Sequence, residues 1–183
     1  MLKKVVVAGV LGFIVLAVWT FVVNGLLGFN SSINMRRIEN EAEVYEVLKD
    51  SIAEPGRYVC NPAVEGDAGY PGNEPVFSVL YSGMGHGTAG RQMLIGLVLY
   101  ILAPMIGALL LSHASNRILS SYLRKVLFFT IIGLLFAIFS DLQKYGIGGY
   151  PLRDALLLGV HSIVVWTIVG LVIAWRIKPA EAG

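Results

Sequence analysis

Charged residues and cysteine are both scarce in this 183-residue sequence. Charged side chains make up 14% of the chain, against about a quarter in a typical soluble domain. Cysteine occurs once, at Cys60, which excludes an internal disulfide and a metal site built from several cysteines. We expect this lone thiol to be buried and structural, since no His and Asn/Asp constellation accompanies it. The net charge of +2 is too small to indicate a nucleic-acid partner.

Hydrophobic residues are abundant instead, at 56% of the chain, and they fall into four long runs with almost no charge. About 20 helical residues cross a hydrocarbon core of roughly 30 Å. The runs are Val5–Phe29, Met93–Ser112, Val126–Leu142 and Ala155–Trp175, of which the third is the shortest. The first run is too long for a signal-peptide core and lacks a small-residue cleavage site, so we interpret it as an uncleaved anchor.

The predicted fold class is therefore an all-α membrane protein. It is a four-transmembrane-helix bundle with a small α+β extracytoplasmic insert between helices 1 and 2. The predicted domains are an N-terminal anchor at 1–29, the insert at 30–92, and a three-transmembrane-helix unit at 93–183. The lipid bilayer is a predicted partner of all four spans.

Lysine and arginine in the short flanks of the runs predict the orientation. If the chain crosses the membrane four times, three flanks lie on the same side: the one before the first run, the one between the second and third runs, and the one after the fourth. All three flanks contain basic residues. These are Lys3, Lys4, Arg117, Arg124, Lys125, Arg176 and Lys178. We expect a multi-pass protein of the bacterial inner (plasma) membrane with cytoplasmic N- and C-termini and residues 30–92 outside the cytoplasm.

The segment between the first two runs is the only candidate soluble unit. Ile38–Ile52 has helical spacing of apolar residues, and Arg57–Cys60 and Pro75–Tyr81 resemble two short strands. A loop rich in glycine, proline and asparagine joins the strands. About sixty residues without a disulfide form a marginal domain. We therefore expect this insert to dock onto the membrane or onto a partner subunit.

A glycine motif precedes the second run, where Gly85, Gly87 and Gly90 form G-x-G-x-x-G after a strand-like stretch. A dinucleotide site also needs an acidic residue about twenty positions later, and the sequence there is apolar. No nucleotide partner is predicted, and the motif is interpreted as a flexible hinge. The alternative is a lipid or anion site, in which backbone N–H groups at the helix start act with His86 and Arg91.

His161 lies within the fourth run, where an ionisable residue is a functional hypothesis by default. It is a candidate contact to a haem, a quinone or a chlorin; the plainer interpretation is a neutral imidazole bonded to Ser140, Asp141 or a backbone carbonyl. His113 lies at the far end of the second run, so an internal histidine pair is not expected. Asp141 and Asp154 are predicted near helix ends. The lack of a mid-span acid argues against coupled transport.

Pairs of small residues four positions apart occur in every run and predict close helix packing. They are Ala8 and Gly12, Ala103 and Gly107, Gly133 and Ala137, and Gly170 and Ala174. No catalytic residue, metal site or cofactor is evident from the sequence. The leading hypothesis is a non-catalytic accessory or scaffold subunit of a larger membrane complex. The alternatives are a redox or photosynthetic subunit that uses His161, and a small transporter or lipid-binding protein.

Overall fold

The computed structural model describes residues 2–60, 74–146 and 149–178, except for the side chains of 86–89 and 91–93. The chain divides into two compact units. The bundle comprises Met1–Arg36 with Leu94–Gly183, and the small unit comprises Arg37–Met93. The domain boundaries drawn from the sequence at 29/30 and 92/93 stay a prediction.

Helices account for most of the described chain. They are α1 (Leu2–Thr20), α2 (Phe29–Asn34), α3 (Glu41–Ser51), α4 (His86–Ser112), α5 (Asn116–Leu119), α6 (Tyr122–Phe136), α7 (Gln143–Gly146) and α8 (Leu152–Arg176). Wider, π-type turns extend α1 over Phe21–Leu26 and connect α6 to α7 over Ala137–Leu142. The described residues also form two strands, β1 (Gly56–Cys60) and β2 (Phe77–Tyr81).

Among the residues that the structure describes, four helical stretches are long and apolar enough to cross a membrane, which suggests a multi-pass membrane protein. They are Leu2–Leu26, Leu94–Ser112, Tyr122–Gly146 and Leu152–Arg176. The third apolar run is the shortest in the sequence, but its helix is not shorter than those of the first and fourth spans. Helical turns continue beyond the run at both ends, so this stretch reaches 25 residues, as do the first and the fourth.

Phe129 of α6 lies at the centre of the bundle core and is fully buried. A Cβ added at Gly107 of α4 would lie 2.8 Å from a Phe129 ring carbon, and one added at Gly170 of α8 would lie 2.5 Å from its Cβ. The ring also stacks on Trp166, with centroids 6.2 Å apart. The phenyl group therefore occupies space that exists because two neighbouring helices carry glycine there.

The other small residues follow the same principle. A Cβ at Gly133 would meet Cα of Ile163 at 2.9 Å, and one at Gly12 would meet a side-chain carbon of Ile173 at 2.9 Å. Ala8 is fully buried in the same core. The close packing that the sequence predicts at these positions is confirmed, and it occurs between helices of this chain.

The small unit contains α3 and an antiparallel hairpin of β1 and β2. Gly56 pairs with Tyr81 and Cys60 with Phe77, which sets the register of the five paired positions. The helix predicted over Ile38–Ile52 is shorter, at Glu41–Ser51, because Ile52 is already extended. The predicted glycine-rich loop lies at 61–74, of which only Glu74 is among the described residues.

Candidate functional site

The imidazole of His161 lies between two aromatic side chains from the first part of the chain. The indole Nε1 of Trp19 donates a hydrogen bond to Nε2 of His161 at 3.3 Å. The Phe29 ring stacks against the imidazole, with centroids 4.9 Å apart and planes at 24°. The expectation that His161 bonds to Ser140, Asp141 or a backbone carbonyl is wrong. Its partner comes from the end of α1, 142 positions away.

This hydrogen bond determines the tautomer of His161. An indole N–H donates only, so Nε2 must carry the lone pair that accepts it. A neutral imidazole with an unprotonated Nε2 carries its proton on Nδ1. A metal or haem iron at Nε2 would have to displace Trp19, whereas Nδ1–H is a hydrogen-bond donor in the arrangement as it stands.

A half-open cavity of about 320 Å³ lies between helices of the bundle and is lined in part by His161. Its wall is mostly aliphatic and aromatic, with four side chains that carry a polar atom able to bond a ligand: Tyr100, His161, Ser162 and Trp166. The remaining lining residues are Leu16, Leu99, Ala103, Val165 and Val169. The α1, α4 and α8 helices all contribute, so the cavity exists only after these helices assemble.

The Tyr100 hydroxyl on α4 is itself positioned by α1. It lies 3.0 Å from Oγ1 of Thr20, and either oxygen is able to donate. Trp19 and Thr20 are adjacent, so the last turn of α1 holds both His161 of α8 and Tyr100 of α4. The polar groups at the cavity therefore depend on one short stretch of the first span.

Asp141 forms a second polar cluster beside the cavity wall. Its Oδ2 accepts a hydrogen bond of 2.6 Å from Ser162 Oγ, and its Oδ1 accepts one of 3.1 Å from Lys144 Nζ. The aspartate is only 6% exposed, although the sequence predicts it near a helix end. Asp141 lies in the π-type turns over Ala137–Leu142. Such turns occur frequently at functional sites of proteins.

Asp154, at the start of α8, forms an ion pair that the sequence does not reveal. Its Oδ2 lies 2.8 Å from Nη2 of Arg36, just after α2. The Asp154 side chain is 5% exposed and the Arg36 side chain 61%. Asp154 lies in the first turn of its helix, as expected, where a carboxylate is also favoured by the helix dipole.

The glycine motif has a different conformation from the expected hinge. Helix α4 begins at His86, so Gly87, Gly90 and Arg91 lie within its first two turns. Gly85 precedes the helix, and a Cβ added at Gly85 or Gly90 would meet nothing within 4 Å. The hinge interpretation is wrong for Gly87 and Gly90, because helical hydrogen bonding fixes their backbone. A lipid or anion site here stays a prediction.

The strand before this motif belongs to a two-stranded antiparallel hairpin. A dinucleotide fold places the glycines between a strand and a helix of a parallel βαβ unit. The positive φ of 68° at Gly83 turns the chain between β2 and α4, and Pro55 packs closely against this glycine. The turn therefore serves the packing of the small unit.

Cys60 is exposed at the end of β1, so the expectation of a buried thiol is wrong. Cys60 is the last residue of β1 and pairs with Phe77, the first residue of β2, at the end of the hairpin next to the connecting loop. Among residues 2–60, 74–146 and 149–178, no group of three His, Cys, Asp or Glu side chains is arranged to hold a metal ion.

The described residues form a mostly helical protein with four candidate membrane spans and a largely apolar cavity, which is lined by His161 and by Ser162. The chain matches no protein-family model, and neither a curated protein nor a solved structure shows significant similarity to it.

Proposed function

We propose that this protein is a non-catalytic accessory or scaffold subunit of a larger protein complex in the bacterial inner membrane. One observation carries the proposal. None of the residues described within Arg37–Met93 is buried, although this unit contains a helix and a hairpin. A unit without a core of its own gains stability by covering its apolar side chains with another surface.

The hairpin offers one face suited to such a contact. Strand side chains alternate between faces, so Phe77, Val79 and Tyr81 of β2 share a face with Tyr58 and Cys60 of β1. Phe77 is 60% exposed and Tyr81 is 40% exposed. The opposite face carries Arg57 bonded to Ser78 at 2.9 Å, beside Val59 and Leu80. We call the first of these the apolar face of the hairpin.

Charge favours a protein over a lipid surface as the covering partner. The sequence from Arg37 to Met93 contains nine acidic and four basic residues, a net charge of −5. Anionic lipid headgroups attract basic segments and repel acidic ones. The acids include Glu41 and Glu43 in the first turn of α3, on an exposed helix surface. The proposed partner is therefore a subunit with an apolar patch and basic surroundings.

The proposed orientation places the small unit outside the cytoplasm and both termini inside. It rests on the basic residues flanking the four candidate spans, among them Lys3, Arg124 and Arg176. In this arrangement the exposed apolar side chains of α1, α4, α6 and α8 face lipid or other subunits.

The test is affinity purification of the tagged protein from native membranes in mild detergent, with the eluate analysed by mass spectrometry. Wild type is expected to recover a reproducible set of partners in stoichiometric amounts. Phe77→Ser and Tyr81→Ser should each reduce that set at least tenfold, because they make the apolar face polar. Leu80→Ser, on the opposite face of the same strand, is the matched control and should retain the partners.

The proposal would be contradicted if all of the wild-type protein were recovered and no other protein came with it. If all three variants retained the partners equally, the hairpin would not be the surface that contacts them. The level of each variant in the membrane is measured in parallel, so that loss of the protein is not mistaken for loss of a partner.

A further inference from the structure

We propose that the cavity beside His161 is a binding site for a neutral, apolar ligand whose carbonyl oxygen accepts a hydrogen bond from Nδ1–H of His161. The carbonyl belongs either to a quinone ring or to the ester of an acylglycerol-type lipid. This inference is independent of the proposed accessory role, since it concerns the bundle and the accessory role concerns the small unit.

The size and lining of the cavity are those of a small-molecule site. Its volume of about 320 Å³ lies at the lower end of the roughly 300–1,000 Å³ typical of ligand pockets. Such pockets have mostly apolar walls with a few polar groups that orient the ligand. Here the polar groups belong to Tyr100, His161, Ser162 and Trp166, whose indole is also part of the aromatic wall.

The lining chemistry selects a neutral ligand. None of the nine residues that line the cavity carries a formal charge. Transfer of a charged group into such surroundings is strongly unfavourable, whereas a carbonyl oxygen needs only one donor. This excludes anionic headgroups and favours a molecule that is apolar apart from a ketone or an ester.

The donor is defined by the contacts of His161. Trp19 occupies Nε2, and Phe29 covers one face of the ring. The tautomer places the proton on Nδ1, for which no partner is found among the described residues, and no buried side-chain nitrogen or oxygen among them lacks a partner. Nδ1–H is thus an accessible donor on a residue that lines the cavity.

The position of the cavity fits entry from the lipid phase. Leu99 and Tyr100 line it and are also exposed on the surface of α4, at 61% and 39%. His161 lies nine residues after the start of α8, a depth of about 14 Å at 1.5 Å per residue. A ligand dissolved in the bilayer would reach this depth with its apolar tail beside the exposed Leu99.

The experiment uses the full chain in detergent and two probes. One is a benzoquinone with a ten-carbon tail, followed by quenching of tryptophan fluorescence, because Trp19 and Trp166 adjoin the site. The other is a diacylglycerol, followed by native mass spectrometry. Saturable binding of one probe supports the proposal and identifies the source of the carbonyl.

Two substitutions remove the site in different ways. Ala103→Leu fills the cavity without altering a polar group, and it should abolish saturable binding. His161→Leu removes the donor, and it should weaken binding about tenfold, as for the loss of one hydrogen bond. Leu135→Ala is the control for non-specific partition, since Leu135 is 64% exposed on α6 and does not line the cavity. It should bind as wild type does.

The proposal is overturned if neither probe binds saturably to wild type, or if binding is unchanged in both Ala103→Leu and His161→Leu. Thermal unfolding of each variant shows whether it retains its fold. Ala103→Leu preserves the test if His161→Leu is unstable, because it leaves the Trp19 hydrogen bond in place.

Discussion

Nη2 of Arg36 lies 2.8 Å from Oδ2 of Asp154, although 118 positions separate the two residues in the chain. Arg36 is the last residue of the first bundle segment, and Asp154 lies in the first turn of the last long helix. The ion pair therefore ties the exit of the first span to the entry of the fourth.

Arg36→Ala is expected to lower the free energy of unfolding by about 1–2 kcal/mol. The substitution leaves the buried Asp154 carboxylate without its cation, and a fully buried pair would cost about 3–5 kcal/mol. Solvent screens this pair because Arg36 is 61% exposed, which reduces the effect. Unfolding in mixed micelles with increasing SDS measures the change.

Two further variants check the origin of this effect. Adding Asp154→Asn to Arg36→Ala should recover part of the loss, because the unpaired charge is then removed. Lys49→Ala breaks the exposed pair with Glu46, in which both side chains are about 60% exposed, and should change stability by less than about 0.5 kcal/mol. Equal losses in Arg36→Ala and Lys49→Ala would contradict a special role for Asp154.

Gly133→Ala is expected to destabilise the bundle by about 1–3 kcal/mol. The new Cβ would lie 2.9 Å from Cα of Ile163 and 3.0 Å from the carbonyl oxygen of Ser162, and a backbone cannot move aside as a side chain can. SDS-induced unfolding measures the loss.

Gly96→Ala is the matched control, because it is a helical glycine with nothing within 4 Å of an added Cβ. It should be neutral or up to about 1 kcal/mol more stable, as alanine favours helix over glycine. A loss at Gly96 as large as that at Gly133 would show that the α6–α8 contact is not the cause.

Lys125→Met is expected to destabilise the protein by about 1–3 kcal/mol. Lys125 is 6% exposed, and its Nζ donates a 2.7 Å hydrogen bond to the backbone oxygen of Ile177, the residue that follows α8. Methionine keeps the aliphatic stem and leaves this carbonyl without its charged donor. Lys178→Met, at an exposed lysine, should change stability little; a similar loss in both variants would reject the assignment.

Cys60 is expected to react with a membrane-impermeant maleimide added to intact spheroplasts. The thiol is exposed and is the only cysteine of the chain, and the proposed orientation puts it outside the cytoplasm. Gel shift or mass spectrometry of the purified protein measures labelling. Ser115→Cys in a Cys60→Ser background should react only after permeabilisation, because Ser115 is exposed between the second and third spans. The reverse pattern would invert the topology.

The outline of the fold is predictable because its signals are local. The four apolar runs, the helix after Asn40 and the two short strands all follow from periodicity and composition within each segment. The helix boundaries predicted from the sequence are the part that is wrong. Helical turns extend the third span beyond the apolar run at both ends, and α4 begins at His86 rather than after the glycines. Hydropathy does not detect helical turns that are built from polar or small residues.

The candidate site is less predictable. His161 stands out in the sequence because an ionisable residue interrupts an apolar run, and it does line the cavity. Trp19 and Phe29 give no comparable signal, since aromatic residues are ordinary in such segments. The sequence suggested a partner close to His161 in the predicted bundle, whereas the actual partner is the indole of Trp19.

By itself, the sequence determined that this chain has four apolar helices and a small acidic unit, because hydrophobic length and charge act through neighbouring residues. Only the tertiary structure decided that Trp19 sets the tautomer of His161, that Arg36 pairs with Asp154, and that α1, α4 and α8 together line a half-open cavity. These contacts depend on helix rotation and depth, which are fixed by the packing of glycines against large side chains across the bundle.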